Sequence, residues 1–171
     1  MKPPLIFSTV ITLFFAVSVY AAGSASAERV EAIAQRSAQV MPFSLDQTLH
    51  VFDKTAKGGV QRVIAKDDNN SLQVRLIREH LSKIAGEFSK RDFSDPERIH
   101  GKTMPGLPEL RAAKAEQIEV TYSELPNGAQ IEYSTELPKL IDAIHRWFDA
   151  QLSDHARHAV SGHENHVMHG H

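Results

Sequence analysis

Ile118-Glu-Val-Thr-Tyr-Ser-Glu-Leu-Pro-Asn-Gly-Ala-Gln-Ile-Glu-Tyr-Ser134 decides the fold. Ile118, Val120 and Tyr122 alternate with polar neighbours, Pro126-Asn127-Gly128 is a turn, and Ile131 and Tyr133 resume the alternation on the return. That is the pattern of a β-hairpin. Thr135 then caps a helix whose buried face reads Leu137, Ile141, Ile144, Phe148 and Leu152, spaced three to four apart.

The same order stands upstream. Two β-type runs, Thr48 to Phe52 and Val60 to Ala65, are joined by Lys57-Gly58-Gly59, and the polar loop Asp67 to Ser71 leads into a helix ending near Lys90. Ile77, Leu81, Ile84 and Phe88 form its apolar stripe, and Asn70 with Gln73 makes a capping pair at its start. Gly59-Val-Gln-Arg-Val-Ile64 lies over Gly128-Ala-Gln-Ile-Glu-Tyr133, so one hairpin-helix unit is used twice. A lone hairpin is marginal, whereas two can share a core. The expectation is an α+β domain, a four-stranded antiparallel sheet with two helices on one face.

Outside these units, the amino terminus has Lys2, an apolar run from Leu5 to about Ala22, and small residues ending Ala25-Ser26-Ala27. This is the order of a secretory signal peptide, with cleavage expected near Ala27 and a periplasmic location. An uncleaved anchor is the competing reading, at the lower limit of length for a spanning helix. The expected organisation is residues 1–27 signal peptide, 28–43 a polar helix or loose lead-in, 44–160 the α+β domain, and 161–171 a flexible tail. The net charge of −2 does not suit a nucleic-acid binder. With no cysteine, the chain offers neither disulfides nor thiolates, so any metal site rests on His, Met, Asp and Glu.

Between the units runs Asp92-Phe-Ser-Asp-Pro-Glu-Arg-Ile-His-Gly-Lys-Thr-Met-Pro-Gly-Leu-Pro-Glu-Leu110. A connection this long is functional or disordered, and its interleaved Phe93, Ile99, Met104 and Leu107 predict an ordered loop that packs on the domain.

Three segments carry a resemblance: Met41-Pro-Phe-Ser-Leu-Asp-Gln-Thr-Leu-His-Val-Phe52, Asp92 to Gly101 with Met104-Pro-Gly106, and Arg146-Trp-Phe-Asp-Ala-Gln-Leu-Ser-Asp-His155. Over nearly the whole chain beyond the signal segment, tail included, the protein resembles a family of small exported proteobacterial proteins with a His-rich C-terminus. Members are often labelled aspartate carbamoyltransferase. The Ser-Thr-Arg-Thr loop and His-Pro-x-Gln segment by which that enzyme binds carbamoyl phosphate are absent from this sequence, and so is the strand-helix alternation of its parallel sheets.

Seven of the ten histidines stand at or after position 145. His155, His158, His163, His166, His169 and His171, with Met168, form the first candidate metal site, because imidazole and thioether capture copper, zinc or nickel. His155 and His158, three apart, are expected on one helix face, with Asp154 either orienting His158 or joining as an oxygen ligand. His145, beside Ile141 and Phe148, reads as a partly buried histidine satisfied by Asp149. The second candidate is His100 with Met104, joined by His50 or His80. No nucleophile elbow, metalloprotease helix or phosphate-cradling loop is present.

The expected function is periplasmic transition-metal binding for buffering, delivery or resistance, copper ahead of zinc and nickel. The ion is the partner, without nucleic acid or, after cleavage, membrane. The alternative is a metal-independent accessory module that docks another exported protein through residues 92–110, and the third an enzyme of unrecognised type.

Overall fold

The computed structural model describes residues 25–162. The helix α1 (Ala27–Val40) opens this part, its first turn capped by the Ser26 hydroxyl, which accepts from the Arg29 amide. The lead-in is thus a full helix, held down by the buried Ile33 and Ser37. The expected cleavage point falls at its first residue.

Strands β1 (Thr48–Thr55) and β2 (Gly58–Ala65) form the first hairpin, and β3 (Glu119–Leu125) and β4 (Gly128–Ser134) the second. Each closes through two residues, Ala56-Lys57 and Pro126-Asn127. The helix α2 (Ser71–Ser89) follows the first hairpin and α5 (Pro138–His155) the second. The long connection holds two short helices, α3 (Ser94–His100) and α4 (Leu107–Ala112). The described residues are therefore α+β, with two hairpins and five α-helices.

The sheet has five strands, ordered β3-β4-β2-β1-β5, and so departs from the expected four-stranded antiparallel sheet. The extra strand is β5 (Ala159–Ser161), which runs parallel to β1 with Ala159 opposite His50. Three residues beside a His-rich end carry too little periodicity to be read as a strand; pairing with β1 makes them one.

Both helix starts differ in detail from expectation. Asn70 does accept from the Gln73 amide, but Gln73 turns its side-chain oxygen to the Ser44 amide instead of back to the cap. Thr135 caps no helix: its hydroxyl accepts from the Leu137 amide in a tight turn, and α5 starts three residues later at Pro138.

The buried face of α5 is Leu140, Ala143, Ile144, Trp147, Phe148, Gln151, Asp154 and His155. The expected Leu137 is exposed, and Ile141 and Leu152 lie at the margin. A purely apolar stripe places the face around Ile144 and Phe148 correctly but misses Trp147, at the centre of an aromatic cluster with Phe88, Phe93, Tyr133 and Phe148 at ring-centroid distances of 5.4–5.9 Å. Burying each such ring contributes on the order of 1.5–3 kcal/mol. Among the described residues no helix is long and apolar enough to cross a membrane.

Candidate functional site: a buried histidine cluster

Trp147, Gln151 and His155 follow one another at intervals of four residues, so α5 presents all three along one line. They face a cavity of about 40 Å³ bounded also by His50 and Phe52 of β1, Gln61 of β2, His80 of α2, and Ile99 and His100 at the end of α3. A water molecule needs roughly 10–15 Å³ of such space, so the cavity accommodates an ion with a few small ligands and nothing of cofactor size.

Three imidazoles meet at one end. The His155 ring lies 5.2 Å from that of His50, nearly parallel, and 5.0 Å from that of His100, nearly perpendicular. All three are buried. They come from β1, from the long connection and from the last turn of α5, and only the tertiary fold brings them together.

His100 has the most elaborate support. Its Nδ1 lies 2.8 Å from Asp154 Oδ2, and because an ionised carboxylate only accepts, Nδ1 carries the proton and Nε2 keeps its lone pair. Asp154 in turn receives Arg29 from α1 through two hydrogen bonds, Nε to Oδ1 at 2.6 Å and a terminal nitrogen to Oδ2 at 2.7 Å. Arg29 also reaches the His100 carbonyl, and Arg36, two turns along α1, donates to the Ile99 carbonyl at 2.6 Å. Thus α1 clamps the end of α3. Burial opposes ionisation of Asp154, but the hydrogen bonds from His100 and Arg29 prevail and hold its carboxyl down at about 2.

The histidines are neutral at physiological pH. Burial presses His50 down to about 4, with the neighbouring His80 pushing the same way, and lowers His155 well below the ordinary range with His50 and His100 adding to it. Burial also lowers His100, against the pull of Asp154. His80, which stands edge-on to Phe43, is lowered by burial too.

Three buried polar atoms of the cavity lining have no hydrogen-bond partner among the described residues: His50 Nδ1, Trp147 Nε1 and Gln151 Oε1. Such a group costs on the order of 1–3 kcal/mol when left alone, so three along one cavity are an expense the fold does not need for packing. Beside them the chain bends sharply. Ala156 ends α5 at φ 43°, ψ −114°, a conformation that costs a non-glycine residue on the order of 1–3 kcal/mol.

The expected site residues are distributed as follows. His50, His100 and His155 come together. Met104 is buried in the core, apart from the cavity lining, and Met41 is the methionine that borders the cavity. His158 lies past the bend in a short 3₁₀ turn, so it does not share a helix face with His155. Its Nε2 is 3.8 Å from Asp46, and its Nδ1 has no partner. Asp154 orients His100 and not His158. His145 donates to the Thr55 or Gly58 carbonyl, at 3.0 and 2.9 Å, tying α5 to the first hairpin, while Asp149 pairs with Lys54. His163, His166, Met168, His169 and His171 lie outside the described residues. Sequence reasoning missed Arg29, Trp147 and Gln151; the 147-151-155 spacing was the available signal for the last two.

Among the described residues no group of three or more His, Asp or Glu side chains is placed so that it could hold a metal ion. Two of the ring pairs, His50–His155 and His100–His155, stand at 5.2 and 5.0 Å. With a metal–nitrogen bond of about 2.0–2.1 Å, a ring centre sits roughly 3 Å from the ion, and two imidazoles at a tetrahedral angle have centres roughly 5 Å apart. No family model, curated protein or solved structure matches the chain.

Proposed function

We propose that the protein is an exported transition-metal-binding protein, serving buffering, delivery or resistance, and that His50, His100 and His155 hold the ion, copper ahead of zinc and nickel. The observation that carries this reading is the burial of three neutral imidazoles around one cavity, with His50 Nδ1 unpartnered and the His100 tautomer fixed by Asp154. Metal ligation needs unprotonated imidazole, and a carboxylate behind the ligand is its usual support. Coordination requires the His50 and His155 rings, stacked nearly parallel in the structure, to rotate. The tail histidines and Met168 supply a second ligand set that collects ions for the buried one.

The docking alternative has less behind it. Phe93, Ile99, Met104, Leu107 and Leu110 of the connection are all buried in the protein's own core, so its large apolar side chains are not offered at the surface.

Calorimetric titration of the full chain, and of a chain ending at Gly162, with Cu(II), Cu(I), Zn(II) and Ni(II) tests the proposal. Ending at Gly162 retains β5. One tight site that survives the truncation is expected; loss of all binding with the tail would move the function out of the folded domain.

A further inference from the structure

His50, Gln151 and Trp147 are 2, 6 and 0% exposed, and all three side chains line the cavity of about 40 Å³. Each keeps one atom without a partner among the described residues: His50 Nδ1, Gln151 Oε1 and Trp147 Nε1. Elsewhere on the same lining the protein pairs its polar groups, as where Gln61 Oε1 accepts from the Tyr133 hydroxyl at 3.0 Å. The indole Nε1–H only donates and the amide Oε1 only accepts. One helical turn apart on α5 the two are complementary, yet neither bonds the other. What satisfies both must accept from the indole and donate to the amide. An anion cannot donate and a cation cannot accept; a small protic molecule does both.

We infer that the cavity is a binding site for water, and that about two or three molecules hydrogen-bond there to His50 Nδ1, Gln151 Oε1, Trp147 Nε1 and one another. Space selects this ligand: each water needs roughly 10–15 Å³ of such volume, and no larger protic molecule fits beside the three polar groups. A water joining two buried polar groups is nearly as good as their direct bond, so the unpartnered atoms lose their cost at a small loss of entropy. The apolar walls, Phe52, Ile84, Phe88 and Ile99, offer no competing hydrogen bonds, which confines the waters to the side of the cavity formed by α5 and His50. The histidine cluster is therefore wet, and any solute that enters must match these waters or displace them. This inference concerns the metal-free protein and does not rest on the metal reading.

Trp147 is the sole tryptophan, so its Nε1–H gives a single indole signal in the NMR spectrum. On the full chain stripped of metal by a chelator, nuclear Overhauser transfer between that proton and water is measured, with a crystal structure of the same protein under xenon as the independent readout. Wild type is expected to show transfer from long-lived water, ordered water in the cavity and no xenon there, because it is dry apolar cavities that take up xenon. Gln151→Leu, shown by thermal melts to be folded, is expected to weaken the transfer. Tyr133→Phe is expected to keep it, which excludes relay through the phenol proton of a ring 5.4 Å from the indole. Absence of transfer in wild type, xenon in its cavity, transfer lost in Tyr133→Phe, or transfer unchanged in folded Gln151→Leu would overturn the inference. The wild-type measurements need no variant, so they decide the matter even if a variant fails to fold.

Discussion

His100 donates from Nδ1 to Asp154 at 2.8 Å across 54 residues of chain, and the same carboxylate receives Arg29. One side chain thus joins the amino-terminal helix, the long connection and the end of α5 at the edge of the imidazole cluster. The carboxylate keeps Nε2 of His100 free to bind and raises its basicity.

Asp154→Asn is expected to preserve the fold and lower metal affinity by about 10- to 100-fold, because the amide neither fixes the tautomer nor carries the charge that Arg29 and His100 meet. Calorimetric titration of the variant beside wild type checks this. An unchanged affinity would place Asp154 in a purely structural role.

Stability without metal should rise with pH through the histidine range. The folded pKa of His50, about 4, lies below its unfolded value, so between the two the unfolded chain binds the extra proton. Its contribution is complete above about pH 6.5 and falls away as pH drops toward 4, on the order of 3 kcal/mol for this group. His155 and His100 shift in the same direction and steepen the loss. Asp154 keeps its contribution until pH falls below about 4 and loses it toward 2. Urea unfolding at intervals from pH 4.5 to 8 measures the slope; a flat profile would mean that these imidazoles are not buried neutral.

Ala156→Gly should stabilise the metal-free protein by about 1 kcal/mol by relieving the positive φ, and should loosen metal binding, since the bend that fixes His155 becomes flexible. Denaturant midpoints and metal titration, read together, distinguish this from a neutral substitution.

Gly106→Ala should be strongly destabilising, by about 3 kcal/mol or more. A Cβ at this position, whose φ is +81°, would stand 2.0 Å from the Ala143 carbonyl oxygen and 2.9 Å from the Trp147 amide nitrogen. Gly106 is what lets α4 lie close to α5 beside the cavity wall, and a melting temperature near wild type would contradict that packing.

Much of the scaffold was legible because its signals are local. Asn127-Gly128, the alternation around Ile131 and Tyr133, and the stripe Ile77-Leu81-Ile84-Phe88 each declare an element within a few residues. The strand β5 was not, since three residues acquire their structure only from β1. The face of α5 is legible at Ile144 and Phe148 but not at its far end, because Gln151, Asp154 and His155 are polar, and patterning sends polar residues outward. They lie inward because they are partners: Asp154 for Arg29 and His100, His155 for the other imidazoles. For the same reason His50, His100 and His155 were each visible as candidates while their grouping was not. Met104 and His158 were placed with them on spacing alone, and spacing carries no information about which side of a loop or a helix end a residue takes.

The central claim is that three imidazoles of the folded domain ligate one ion. X-ray absorption at the metal edge, on the chain ending at Gly162 with one equivalent of copper or zinc, tests it most directly. The account predicts three imidazole nitrogens at about 2.0 Å, with the imidazole scattering reduced when His50, His100 or His155 is replaced by alanine. A first shell without imidazole, or one unchanged in those three variants, would contradict it.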